Sequence, residues 1–263
     1  SAFHPTDSRI TTKIKEKDLM FGILASVHEC GHALYEQGLD STWYGTPLGA
    51  ANSFGIHESQ SRFYETRIGQ SRGFWHHYYP ILRSHFFENL KDVNEEDFYQ
   101  SVNQVNPDVN RLEADELSYN LHIIIRYEME KLIFGTDVKA VELPAIWNKK
   151  YEEYLGVVPA SDKEGILQDV HWSEGYFGYF PSYVLGSIFA SQLYEKMLID
   201  IPNMEQDILE GKYLKIREWL KINIHAKGRS LKPQELIQQV TGKTLTVEPY
   251  IKYLTRKYDE IYG

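Results

Sequence analysis

One short stretch restricts this chain more than any other: His28-Glu29-Cys30-Gly31-His32, an H-E-x-x-H pattern. On an α-helix, residues four apart leave the same face one turn apart, so His28 and His32 can share one metal ion. Neutral imidazole is a good zinc ligand. Glu29 is rotated by about 100° from His28, which sets it beside a water held by the ion rather than among the ligands. That is the position of a general base in zinc-assisted peptide hydrolysis. The flanks support a helix over about 18–37. Asp18 is a natural N-cap before Leu19, Met20 and Phe21; Leu24, Val27, Gly31 and Leu34 form an apolar stripe; Gly38 is the expected C-terminal stop.

The bulk numbers bound the surroundings of that motif. With 263 residues, 42% hydrophobic and 25% charged, the chain is globular in composition and suits one large domain or two small ones. The longest apolar run, 176–190, is broken by glycines, a proline and serines. It falls short of the roughly eighteen uninterrupted residues of a membrane helix. The start has neither a basic region nor an apolar core, so no signal peptide is expected. Cys30 is the one cysteine. A single thiol cannot close an internal disulfide, which fits a reducing, cytoplasmic setting. At i+2 it points away from both histidines and reads as packing. A net charge of −9 repels phosphate backbones and argues against nucleic acid as a partner. The locally basic stretch 212–232 reads as a solvated helix face.

Along the chain, the β-branched segment 9–13 is a short strand candidate, and 39–54 a loop with one short strand near 50–54. From Gly55 onward helices dominate: about 56–70, 75–89, 95–102, 109–134, 143–155, 181–199, 204–210, 213–224, 233–241 and 247–261. Pro233 and Pro249 sit where a first helical turn accepts proline. Gly135, Gly156, Gly211 and Gly242 follow the expected helix ends. No internal repeat or low-complexity linker interrupts them. The fold class is mostly α with a very small sheet.

A catalytic zinc needs a third protein ligand and an open position. Glu58, in His57-Glu58-Ser59-Gln60, opens the next helix within loop reach of the motif. The bland alternative is that Glu58 favours a helix N-terminus or pairs with Arg62 at i+4. His57 is the rival ligand, since neighbours on a helix do not face one way. Arg111 could hold a peptide C-terminal carboxylate in a bidentate fork, or pair with Asp115 on its own helix. His171, Tyr176 and Tyr179 lie in glycine-punctuated aromatic segments, where a hydroxyl or imidazole N–H could stabilise an oxyanion. In a chain with 19 tyrosines they could equally be core.

In series, these motifs resemble the zinc carboxypeptidases of the thermostable carboxypeptidase 1 (carboxypeptidase Taq) family. That family shows HPF, DxRxT, HExxH, HESQ, RxxAD and GxxQDxHW elements and a GYFGYFPSY-like run. Here the same order is carried by Asp7-Ser8-Arg9-Ile10-Thr11, the HECGH motif, His57-Glu58-Ser59-Gln60, residues 111–115, 165–172 and 175–183. The likeness covers essentially the whole chain. It implies His28, His32 and Glu58 as zinc ligands, with cobalt or manganese as substitutes, and Glu29 as the base that shuttles a proton to the leaving amine. It implies Arg111 on the substrate carboxylate and His171, Tyr176 and Tyr179 lining the pocket. Analogy with the more distant angiotensin-converting-enzyme and neurolysin fold implies a gluzincin-like helical catalytic domain with a very small sheet beside the active-site helix. It also suggests Tyr179 at the oxyanion and Tyr176 nearer the carboxylate. The implied substrates are peptides with a free C-terminus, without nucleic acid or membrane partners, and the implied assembly is a homodimer.

Two departures stand out. Family members are about twice as long, and the chain begins at their catalytic half. In the HPF element, His4-Pro5 is followed by Thr6. The alternatives are a zinc-binding half-domain that is inactive without the missing half, or a short-peptide endopeptidase of the same fold.

Overall fold

Asp18 caps the motif helix as its sequence predicts: its carboxylate accepts the Phe21 backbone N–H at 3.0 Å. The helix, α1, runs over Leu19–Gly38 in a computed structural model that describes residues 2–263. Before it, β1 (Ala2–His4) and β2 (Asp7–Ser8) pair as an antiparallel ribbon. The strand expected at 9–13 is absent. That segment has no regular structure and pairs with no strand, and Ile10 and Ile14 are exposed. β-branched residues make a strand only where a partner completes the ladder.

After α1 come α2 (Phe54–Arg62), a π-helical segment (Phe63–Gly69), α3 (Arg72–His85), α4 (Phe87–Leu90) and α5 (Glu95–Val102). Then follow α6 (Tyr119–Gly135), α7 (Leu143–Leu155), α8 (Pro181–Asp200), α9 (Met204–Leu209), α10 (Leu214–Asn223), α11 (Pro233–Thr241) and α12 (Glu248–Tyr262). No helix among the described residues is long and apolar enough to cross a membrane.

The chain divides into two compact units, residues 1–102 with 185–263, and residues 103–184. In the first, Tyr35 of α1, Ile56 of α2, Phe63, and Phe189 and Leu193 of α8 share one buried core, with Val27 and Leu34 packed on it. A second cluster joins Trp75 and Tyr79 of α3 to Phe98 and Tyr99 of α5. Residues 50–53 form no strand. Instead the Asn52 side chain donates to the carbonyls of Gly228 (3.0 Å) and Leu231 (2.9 Å), which ties the segment down by side-chain bonding. Gly38 is not a left-handed stop. It is the last helical residue, and a Cβ there would lie 2.3 Å from the His225 ring, so the glycine admits a close neighbour.

In the second unit, Ile125 and Met129 of α6 pack on Trp147 and Tyr151 of α7. Tyr119, Ile123 and Phe180 form a smaller cluster. The single helix expected over 109–134 is broken. Arg111–Glu113 make one 3₁₀ turn, and α6 starts only at Tyr119. Asp115 causes the break, accepting the backbone N–H and hydroxyl of Ser118 at 2.9 and 2.7 Å. Such local side-chain bonding competes with a continuous helix.

Candidate active site

The two imidazoles of α1 turn the same nitrogen toward α2. His28 Nε2 lies 4.0 Å and His32 Nε2 3.6 Å from Glu58 Oε2. Glycine makes this approach feasible: a Cβ on Gly31 would sit 2.5 Å from the Gln60 carbonyl oxygen, so only glycine lets α1 and α2 come this near. Gly186 of α8 serves the same end from the other side, since a Cβ there would strike the Glu58 side chain at 2.6 Å. Arg62, the other partner considered for Glu58, donates to Glu65 Oε2 at 2.9 Å and also acts electrostatically on Glu58.

His28, His32 and Glu58 thus offer three ligand atoms within 4.8 Å of one another. A divalent cation fits them on two counts. Glu58 is buried and its Oε1 has no hydrogen-bond partner, an arrangement that is costly without a cation nearby. Two imidazoles and one carboxylate are also the donor set of catalytic zinc. Glu29 follows His28 on the partly exposed side of α1 and lines a cleft of about 100 Å³ with Ser8, Arg9, His32 and His57.

Neighbouring charges set the protonation of the cluster. Burial works against a charged His28, but Glu58 and Glu65 outweigh it and hold its pKa up at about 9. Burial, with His28 and His57 close by, pushes His32 down to about 2. Burial raises the Glu58 carboxyl. Glu65 is also buried, yet Arg62 and His28 overcome that and bring it down to about 2. A cation held by His28, His32 and Glu58 would be the largest local charge and would keep both histidines neutral.

Two residues around the cluster were not singled out by sequence. Glu65 Oε2 lies 2.7 Å from His28 Nδ1. A signal existed: Glu58, Arg62 and Glu65 stand at i, i+4 and i+7, one face of a continued helix. Glu36 Oε1 lies 2.9 Å from His57 Nε2, and His57 Nδ1 lies 2.6 Å from His32 Nδ1. His57, the rival ligand, therefore faces the back of His32 and not the cluster.

The remaining candidates belong to the second unit. Arg111 is buried, and its Nε and Nη2 donate to Asp169 Oδ1 at 2.9 and 2.7 Å. The expected pairing with Asp115 does not form. Arg126 holds the other oxygen of Asp169, at 2.7 Å from Nε. His171 Nδ1 lies 4.0 Å from Asp169 Oδ1, and its Nε2 meets the Tyr183 hydroxyl at 3.1 Å. The Tyr179 ring lies 5.3 Å from that of His171, and Tyr176 is 55% exposed at 6.2 Å from Tyr179. Asp169 and Tyr183 thus organise these contacts; both fall inside the motif segments 165–172 and 175–183, where no local pattern marks them. Left-handed glycines at 175 (φ 80°) and 178 (φ 77°) shape the aromatic turn between them.

Comparison with known proteins identifies the family. The profile of the carboxypeptidase Taq (M32) metallopeptidases matches residues 1–258. Carboxypeptidase 1 of Bacillus subtilis is 47% identical over 256 residues, 97% of this chain and 51% of that protein. Thermostable carboxypeptidase 1 of Thermus thermophilus is 44% identical over 262 residues, 100% of this chain and 51% of that protein. The crystal structure of M32 carboxypeptidase from Deinococcus radiodurans superposes with a TM-score of 0.97 at 42% identity, covering 100% of this chain and 53% of that one. The Pyrococcus furiosus carboxypeptidase structure gives 0.95 at 40% identity, with 98% and 52% covered. The chain spans about half the length of the curated relatives it matches. From its HECGH helix to its aromatic turn, this chain belongs to the carboxypeptidase Taq (M32) metallopeptidase family.

Proposed function

We propose that the chain carries the metal centre of a zinc metallocarboxypeptidase that removes C-terminal residues from peptides. The observation that carries this reading is the convergence of His28 Nε2, His32 Nε2 and the Glu58 carboxylate within 4.8 Å. A divalent cation held by these three supplies Lewis-acid polarisation of a carbonyl and acidifies a water beside it. Zinc suits the donor set best, and cobalt or manganese would substitute.

Glu29 has the chain's second role. Its carboxylate would accept a proton from the attacking water and pass it to the leaving amine nitrogen. Arg111 would hold the substrate carboxylate. Asp169 holds its Nε–Nη2 edge and Nη1 donates to the Tyr119 hydroxyl at 3.4 Å, which together orient the guanidinium. Tyr179 would donate to the oxyanion, with His171 beside it and Tyr176 nearer the substrate carboxylate. In this reading the chain is a gluzincin-like catalytic domain, whose small sheet lies beside the active-site helix. Ser8 and Arg9, which border the Glu29 cleft, support that placement.

The test pairs a peptide bearing a free C-terminus with its amide. The free acid should be cleaved and the amide spared. Equal cleavage of both would remove Arg111 from its role and favour an endopeptidase. Glu29→Gln should keep its metal and lose about 10²–10⁴-fold in kcat; full activity in that variant ends the proposed mechanism. A second reading follows from the half-length match to the relatives: a metal-binding half that turns over only with the remainder. Turnover by the purified chain, abolished by chelator and restored by zinc, decides against it.

A further inference from the structure

Resting on that metal-centre reading, we infer that His57 and Glu36 form a relay that fixes the tautomer of His32, and that His57 is a positioning residue rather than a ligand. The two imidazoles of α1 are buttressed differently. His28 Nδ1 meets a carboxylate directly, Glu65 Oε2 at 2.7 Å. His32 Nδ1 meets no carboxylate. It meets His57 Nδ1 at 2.6 Å, and His57 Nε2 in turn meets Glu36 Oε1 at 2.9 Å.

With both imidazoles neutral, proton counting leaves one arrangement. A neutral imidazole has one N–H and one lone pair. For His32 Nε2 to face a cation its lone pair must point there, so its proton sits on Nδ1. That Nδ1–H donates to His57 Nδ1, which must then be a lone pair. The His57 proton is thereby placed on Nε2, where Glu36 accepts it. In the reverse sense His32 would carry its proton on Nε2, toward Glu58. His57 Nε2 would then present a lone pair to the Glu36 carboxylate, acceptor against acceptor. For a neutral pair, the chain of contacts and the ligand geometry therefore require the same proton positions.

Glu36 is four residues beyond His32 on α1, one turn along the same face, while His57 directly precedes Glu58 on α2. The relay thus crosses between the helices that carry the cluster. A metal-bound histidine needs an outer partner for its second nitrogen to fix its ring and raise its basicity. Here the His57 imidazole stands between His32 and the Glu36 carboxylate.

The test measures zinc affinity of the full chain by competition with a chromophoric chelator, and the visible spectrum of the cobalt-loaded protein. His57→Phe should lose about 10- to 100-fold in affinity, as outer-partner substitutions do, and alter the cobalt spectrum. His57→Gln should recover to within a few-fold of wild type, because its amide oxygen accepts from His32 and its NH₂ donates to Glu36. Glu36→Leu, at a partly exposed position where loss of folding is not expected, should weaken zinc binding. Unchanged affinity in both His57→Phe and Glu36→Leu overturns the relay. So does a His57→Gln variant as weak as His57→Phe with Glu36→Leu unchanged. A wild-type chain that takes up no divalent cation overturns the metal-centre reading itself, which the relay presupposes.

Discussion

At Asp169 one carboxylate serves two guanidiniums, Arg111 through Oδ1 and Arg126 through Oδ2, at a position only 10% exposed. Burial alone would raise this carboxyl; Arg126 and Arg111 overcome it and hold its pKa below the usual range. Asp169→Asn leaves two buried cations short of their counter-charge, which typically costs about 3–5 kcal/mol. Urea unfolding should show a loss of that size, and a change below about 1 kcal/mol would mean the pair contributes little. Sequence placed Asp169 beside a candidate histidine but could not name Arg111 and Arg126 as its partners. They lie 58 and 43 residues away, and no local periodicity encodes such a pairing. Glu65 was nearer to legible, standing on the helical face already marked by Glu58 and Arg62.

Among the elements, α1 and α2 owe their spacing to Gly31. Two effects oppose each other in Gly31→Ala. Helix propensity favours alanine by about 1 kcal/mol. The new Cβ, however, would press on the Gln60 carbonyl at 2.5 Å, and backbone cannot step aside as a flexible side chain can. Overpacking of this kind typically costs about 1–3 kcal/mol. The variant should be net destabilised and should bind zinc more weakly, because the clash separates Glu58 from the histidines. A more stable variant with unchanged zinc affinity would show that close approach is not what sets the cluster. Helices with clear caps were legible almost to the residue, as at 95–102, 143–155 and 233–241. The misses at 9–13 and 109–134 share a cause: propensity was right locally, but a missing partner strand or a competing Asp115 bond decided the outcome.

For the whole molecule, two buried histidines tie stability to pH. Burial, with Arg126 and Arg111, pushes His122 down to about 3. Burial, with Arg217 and His57, does the same to His225. Both stay neutral in the folded chain over a range where the unfolded chain, near 6.5, takes up protons. Their contribution should therefore be full above about pH 6.5 and be lost on acidification toward pH 3, by up to about 1.4 kcal/mol per pH unit for each group. Urea midpoints at pH 7, 6 and 5 check this, with His225→Gln removing its own share; flat midpoints would refute it.

The sequence by itself determined the helical class, the pair of imidazoles on one helix face and the carboxylate next in line. Those follow from the 3.6-residue period and from short motifs, which are local. Only the tertiary structure decided which atoms meet: Glu58 with both Nε2 atoms, Glu65 behind His28, His57 behind His32, and Asp169 between two arginines. Those meetings depend on how closely helices approach, and that distance is fixed by packing at glycines and buried side chains, which local periodicity does not report.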